Sequence, residues 1–349
     1  MPNVRDNNMS QINTISEFLL QAGTDYRVFD IARGIRPLAS QLFLDIESAA
    51  VPAPYPRQQH AWFGIVFFNK KMSNECYIWF VKLPLDEQGL VIGAARQQFL
   101  QTVIEALGQT LDKQNNTNNQ LPENPFTFVP NQQQLADFNS ISRIELEMPL
   151  SEYLGLAERY LTEPERHDWR AVPLQGISDF TASLPKHKGK QLLLKQFSTL
   201  APDMQYALCA SLENHQIDED ISTLLINWYQ QDIKDEKRLH SVLRGLCQSQ
   251  AKTHVSSFIS SILDSAIGRT SAILMLIAAR HWQYLKEPTT LTIYVELLAV
   301  CEDDAFIGLY SDLVQIPEIR EAMLGVLRWP EKSSQLTQAI GQLFGQNTP

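Results

Sequence analysis

The sequence predicts an α+β N-terminal domain followed by a mostly all-α C-terminal half, and three observations carry that prediction. Residues 60–69 (HAWFGIVFFN) and 76–83 (CYIWFVKL) are short, almost uninterrupted apolar runs, the pattern of paired strands in a covered sheet. A polar, Asn-rich stretch (DKQNNTNNQLPEN, 112–124) then interrupts the chain. Beyond residue 188, amphipathic helical stretches succeed one another at nearly even spacing with no strand signal between them.

Residues 10–22 read as a short helix with Ile12, Ile15, Phe18 and Leu19 on one face and Gly23 to end it. Tyr26 to Ile31 is strand-like, and a second helix is expected from Pro37 to Glu47, because proline suits a first-turn position. Prolines at 52, 54 and 56 hold VPAPYPRQ extended. The two apolar runs form an antiparallel pair around a turn at Lys70–Asn74, with the first as the central strand. PLDEQG breaks the second strand. A long helix runs from about Val91 to Leu111 on the stripe Ile92, Ala95, Phe99, Val103 and Leu107.

The expected organisation is a small α+β domain at 1–111, a linker at 112–125, a mixed middle segment at 126–187 and a helical-repeat-like domain at 188–349. The middle segment holds helices near 131–140 and 150–161 and an irregular stretch containing DWRAVPLQGISDF. In the last segment, helices are expected to start near 191, 203, 219, 236, 254, 271, 289, 305, 317 and 334. Two helices per unit then give a period of roughly 33–36 residues, within the range of α-α superhelices. The units share no signature, so the array reads as an irregular HEAT-like repeat, with an irregular helical bundle as the alternative.

Composition narrows the function classes. The 349 residues are 44% apolar and 19% charged with a net charge of −10, an ordinary globular balance. Residues 1–110 carry 9 basic and 10 acidic side chains, 111–188 carry 7 and 11, and 189–349 carry 13 and 18. The acidity is therefore general, and a nucleic-acid backbone would meet repulsion almost everywhere. The four cysteines lack paired spacing and read as reduced. No apolar run approaches a membrane span, and the N-terminus has no secretory pattern, so a cytoplasmic setting is expected.

No phosphate-binding loop, dinucleotide fingerprint, nucleophile elbow or zinc-protease motif occurs, and nothing calls for a cofactor. Glu163, Glu165, His167 and Asp168 have partial metal-ligand character, but Pro164 and the neighbouring loop composition favour a solvated turn. Asp218-Glu219-Asp220 and Glu302-Asp303-Asp304 fall at expected helix starts, where carboxylates cap free N–H groups. Lys186, His187, Lys188 and Lys190 form the one dense basic cluster, suited to an anion or, at a segment junction, to a solvated loop. Arg33 and Arg36, beside Asp30, suit bidentate capture of a carboxylate or phosphate, while a corner-locking ion pair is the commoner outcome. Asp86 and Glu87 come after a buried strand and either do acid–base work or cap the next helix. Trp62 and Trp79 read as core. Trp169 and Arg170 form a frequent interface anchor, equally able to dock one part of the chain on another.

The segments FDIARGIRPL (29–38), AWFGI (61–65), YIWFVKLPLDEQGL (77–90) and DWRAVPLQGISDF (168–180) resemble a family of gamma-proteobacterial proteins of this length that has no assigned function. The resemblance spans the whole chain and implies a soluble bacterial protein, with no active site to carry over. The functional expectation is therefore a cytoplasmic protein-interaction or adaptor module that uses the helical surface to hold a protein partner. The alternative is an enzyme or small-ligand binder with its site near Arg33, Arg36, Asp86 and Glu87.

Overall fold

Strands β1 (Asp25–Asp30), β2 (Arg36–Leu38), β3 (His60–Phe68) and β4 (Cys76–Pro84) form one sheet in the order β2-β1-β3-β4. The computed structural model that shows this describes residues 12–69, 75–112, 122–186, 188–301 and 305–345. The most apolar strand, β3, lies between antiparallel β1 and β4, with Val28 opposite Ile65 and Phe63 opposite Val81, all four buried. A strand covered on both faces needs no polar alternation, which is what its sequence displays. Residues 126–128 shield the outer edge of β4, where Lys82 N donates to Phe126 O at 2.7 Å.

Helices α1 (Ile15–Gln21), α2 (Ser40–Glu47) and α3 (Gly93–Asp112) pack with the sheet around Phe43, Phe63, Ile65, Phe99 and Val103. Thr14 and Glu17 form a capping box on α1. The buried Glu47 carboxylate accepts from Ile15 N at 2.7 Å and Ser16 N at 3.0 Å, binding the end of α2 to the start of α1. Burial pushes the Glu47 carboxyl above its usual range against the pull of those donors. Pro37 lies in β2 and not in the first turn of a helix, because its fixed φ and missing N–H suit a short outer strand equally well. Ile92 precedes α3 and is 41% exposed, and Leu100 takes the buried place on that face. The turn expected at 70–74 and most of the Asn-rich stretch lie outside the described residues.

The chain packs as two units, one of residues 1–30, 37–53 and 59–129, the other of 31–36, 54–58 and 130–349. The second unit is built from α4 (Gln132–Glu145), α5 (Leu154–Thr162), α6 (Leu174–Ser183), α7 (Lys188–Gln196), α8 (Pro202–Leu212), α9 (Glu219–Gln230), α10 (Glu236–Gly245), α11 (Lys252–Leu263), α12 (Ser271–Arg280), α13 (Pro288–Ala299), α14 (Ala305–Val314), α15 (Arg320–Val326) and α16 (Ser334–Gly345). The helix starts fall within three residues of those expected from the apolar period. One apolar core runs from Ala157 and Tyr160 in α5 to Leu336 and Ala339 in α16.

The packing order is regular. Helices α4, α6, α8, α10, α12, α14 and α16 each contact the next of that series, and α5–α7–α9 and α11–α13 do the same in a second series. A buried polar seam binds the first rungs: Asp137 on α4 accepts from Ser178 on α6 and Ser211 beside it on α8, both at 2.6 Å. Asp179 on α6 accepts from Ser140 at 2.6 Å and from Ser151 N at 2.9 Å. The stretch read as irregular around DWRAVPLQGISDF is one 3-10 turn (Trp169–Ala171) leading into α6, whose face is buried from Gly176 to Ala182. Gly176 is there for contact, since a Cβ would stand 2.5 Å from Tyr153 O. A glycine that permits close helix approach looks in sequence like a breaker.

Candidate functional site

The ends of α8, α10, α12 and α14 gather a cluster of buried and half-buried charge. Glu213, just past α8, has a side chain only 5% exposed and accepts from Arg244 Nε at 2.5 Å and from Arg280 Nε at 2.6 Å. Arg244 and Arg280 are last-turn residues of α10 and α12, where a cation complements the helix dipole. Arg33 is 2% exposed and pairs with Asp312 on α14 at 2.5 Å. It also donates to Pro56 O at 2.8 Å and to Ala278 O at 3.1 Å. Two non-helical pieces of chain, 31–36 and 54–58, thus lie on these helix ends.

Side chains of the helices take the main-chain groups of those pieces. Asn214 Oδ1 accepts from Ile35 N and Asp312 Oδ1 accepts from Gln58 N, each at 2.9 Å. Gln134 Nε2 donates to Ile31 O at 3.3 Å. Arg36 stacks over Tyr55 with its guanidinium carbon 4.6 Å from the ring centre, and Tyr55 leans on Trp282. Burial, then the like charges of Arg280 and Arg33, hold the Arg57 guanidinium below its ordinary range. Behind this layer His281 is wholly buried and shares a 2.7 Å hydrogen bond between Nε2 and Leu243 O. Burial lowers its imidazole to about 4. Burial likewise raises the Cys247 thiol to about 11, so it is no nucleophile at neutral pH.

Of the residues singled out in the sequence, Arg33 and Arg36 belong to this cluster. Asp86 is exposed in the sheet unit, where its carboxylate accepts from Gln88 N and Leu90 N at 2.9 Å and shapes the turn before α3. Glu87 is exposed on the same turn. Trp169 packs against the helical core, while Arg170 is exposed, 5.2 Å over the Trp169 ring and 3.5 Å from Asp168. Lys190 pairs with Asp218 and, at 2.7 Å, with Asp220, so this member of the basic cluster is tied to the acidic triplet. Asp218 also caps α9 through Ile221 N. The side chains of Lys186 and Lys188, His187 and the triplet 302–304 lie outside the described residues. Glu163 pairs with Arg166 at 2.8 Å, and among the described residues no group of three metal-ligating side chains forms. Trp62 and Trp79 are half-buried, with Phe128 and Phe67 as their edge or tilted partners.

Glu213, Arg244, Arg280, Arg57 and Asp312 do not stand out in the sequence. A signal for two of them is present there: Arg244 and Arg280 are 36 residues apart, the expected two-helix period, at equivalent helix ends. The family model for a protein of unknown function (DUF3549) matches residues 10–344. No curated protein and no solved structure matches the chain.

Proposed function

The chain belongs to the DUF3549 family of proteins of unknown function, and we propose that it is a protein-interaction scaffold of the bacterial cytoplasm whose helical half forms an irregular α-α superhelix. The observation that carries this reading is the serial stacking of the even-numbered helices from α4 to α16, with two shorter runs, α5–α7–α9 and α11–α13, packed in a second series. Serial stacking of helix pairs yields extended binding surfaces, whereas a bundle folds all helices about one axis. Supporting it, Asn214, Asp312 and Gln134 already bond the main chain of non-helical segments, a mode of recognition indifferent to sequence and suited to peptides.

Site-specific photo-cross-linkers placed at exposed Met275 on α12, Leu135 on α4 and Ile233 after α9, in the full chain and in the source cytoplasm, test the reading. One protein captured repeatedly from positions on one helical series is the expected outcome. Background-level capture from every position would overturn it.

A further inference from the structure

We propose that the arginine-bearing helix ends of α10 and α12 form a binding site for a phosphate monoester. Such a site stands on side chains alone and is independent of the scaffold reading. Arg244 and Arg280 meet Glu213 only through their Nε atoms. Among the described residues neither makes a hydrogen bond through its Nη nitrogens, yet their side chains are only 38% and 22% exposed. A carboxylate that engages two guanidiniums from the side fixes both and leaves their donor-rich ends presented together, which is how a support residue preorganises an anion site.

Charge balance points the same way. Arg57 is within electrostatic reach of Arg280, Arg33, Asp312 and Glu213. Arg36, Arg280, Lys252 and Glu213 all bear on Cys247. Five arginines and Lys252 against Glu213, Asp312 and Asp137 give a local surplus of three positive charges in a chain of net charge −10. Opposing partial charges of about −0.5 from each of four helix ends still leave a surplus of about one. The Leu243, Ala278 and Arg280 carbonyls at those ends are already taken by His281, Arg33 and Cys247. Guanidiniums arriving from two helices, α10 and α12, approach an anion from two directions. A tetrahedral phosphate offers three acceptor oxygens and up to two charges, where a carboxylate offers two coplanar oxygens and one charge.

The test is calorimetric titration of the full chain at constant ionic strength with phenyl phosphate, a phosphoserine tripeptide with blocked ends, and dimethyl phosphate. Saturable one-to-one binding of phenyl phosphate is expected, at least tenfold tighter than dimethyl phosphate, which carries one charge fewer. Arg280→Gln and Arg244→Gln should each weaken it at least tenfold with helical circular dichroism unchanged. Arg244→Lys, which keeps the charge and the fold but loses the fork, should weaken it several-fold. Equal affinity for the tripeptide assigns the site to free phosphate esters, and a tenfold preference for it assigns the site to a phosphorylated polypeptide. Absence of saturable binding, or affinity unchanged in the folded Arg244→Lys and Arg280→Gln proteins, overturns the proposal.

Discussion

Burial strips a charge of its water, so the Arg33 guanidinium, 2% exposed, must be satisfied from within, and it donates to Asp312, Pro56 O and Ala278 O at once. Arg33→Ala removes the cation but leaves Asp312 and two carbonyls behind, so a loss of about 3–5 kcal/mol is expected, read from urea unfolding at pH 7. Asp137 poses the opposite problem, an anion held among hydroxyls. Burial raises it to about 6, although Ser178, Ser211 and Gln133 donate to it. A carboxyl whose folded pKa is raised contributes stability that is present below the unfolded value and is lost as pH rises through 6. Asp137→Asn does not titrate. The wild-type advantage over it should therefore grow as pH falls from 6 to 4, by at most about 1.4 kcal/mol per pH unit. A difference flat in pH would show that Asp137 keeps an ordinary pKa.

Among the elements, two glycines with the same helix-weakening propensity should respond in opposite ways. Gly176 on α6 has Tyr153 O where its Cβ would be, at 2.5 Å, and Gly308 on α14 has nothing within 4 Å. Gly176→Ala should cost about 1–3 kcal/mol through a forced shift of α6 against the 153 segment. Gly308→Ala should stabilise by about 0.5–1 kcal/mol, because alanine loses less backbone freedom in a helix. Thermal unfolding of both variants decides the matter. The same contrast explains what the sequence can and cannot reveal about the fold. The helix starts in α7 to α16 are legible because a 3.6-residue apolar stripe is a local property of the chain. Gly176 misleads because its reason is 2.5 Å away on a different element. Pro37 misleads because helix start and strand make the same demand on φ. The candidate site is half legible: Arg33 and Arg36 stand out by composition, whereas Glu213 and Asp312 acquire meaning only when α8 and α14 bring them to the arginines.

The helical unit as a whole should be an acid-sensitive assembly, for reasons that lie at its centre. His281 is fully buried in the neutral form, with Nε2 donating to Leu243 O and with no partner for Nδ1 among the described residues. Its depressed value of about 4 has burial as the main cause, and the neighbouring Arg280 charge adds to it. Leu243 O and Glu213 work the other way. His215, beside Glu213 and Asn214, is lowered to about 4 by burial as well. A histidine whose folded pKa is depressed contributes stability that is present above about 6.5 and is lost as pH falls through 4. In the helical unit two such groups outweigh the opposing carboxyl of Asp137 over the same window, while Glu47 opposes them from the sheet unit. Urea unfolding of the wild type, monitored by tryptophan fluorescence with Trp282 next to His281, should show stability falling from pH 6.5 to 4.5. His281 and His215, both depressed to about 4, share the slope in that interval. His281→Gln can still donate to Leu243 O without titrating, and its stability should fall less steeply, by up to about 1.4 kcal/mol per pH unit. Equal slopes in the two proteins would mean that His281 is not the group that links protons to folding. Because α10 supplies Leu243 and Arg244 from adjacent positions, protonation at His281 would also act on the arginine-bearing helix end. Below pH 5, where both proteins meet the same singly charged ester, the wild type should lose more phosphate-ester affinity than the His281→Gln protein.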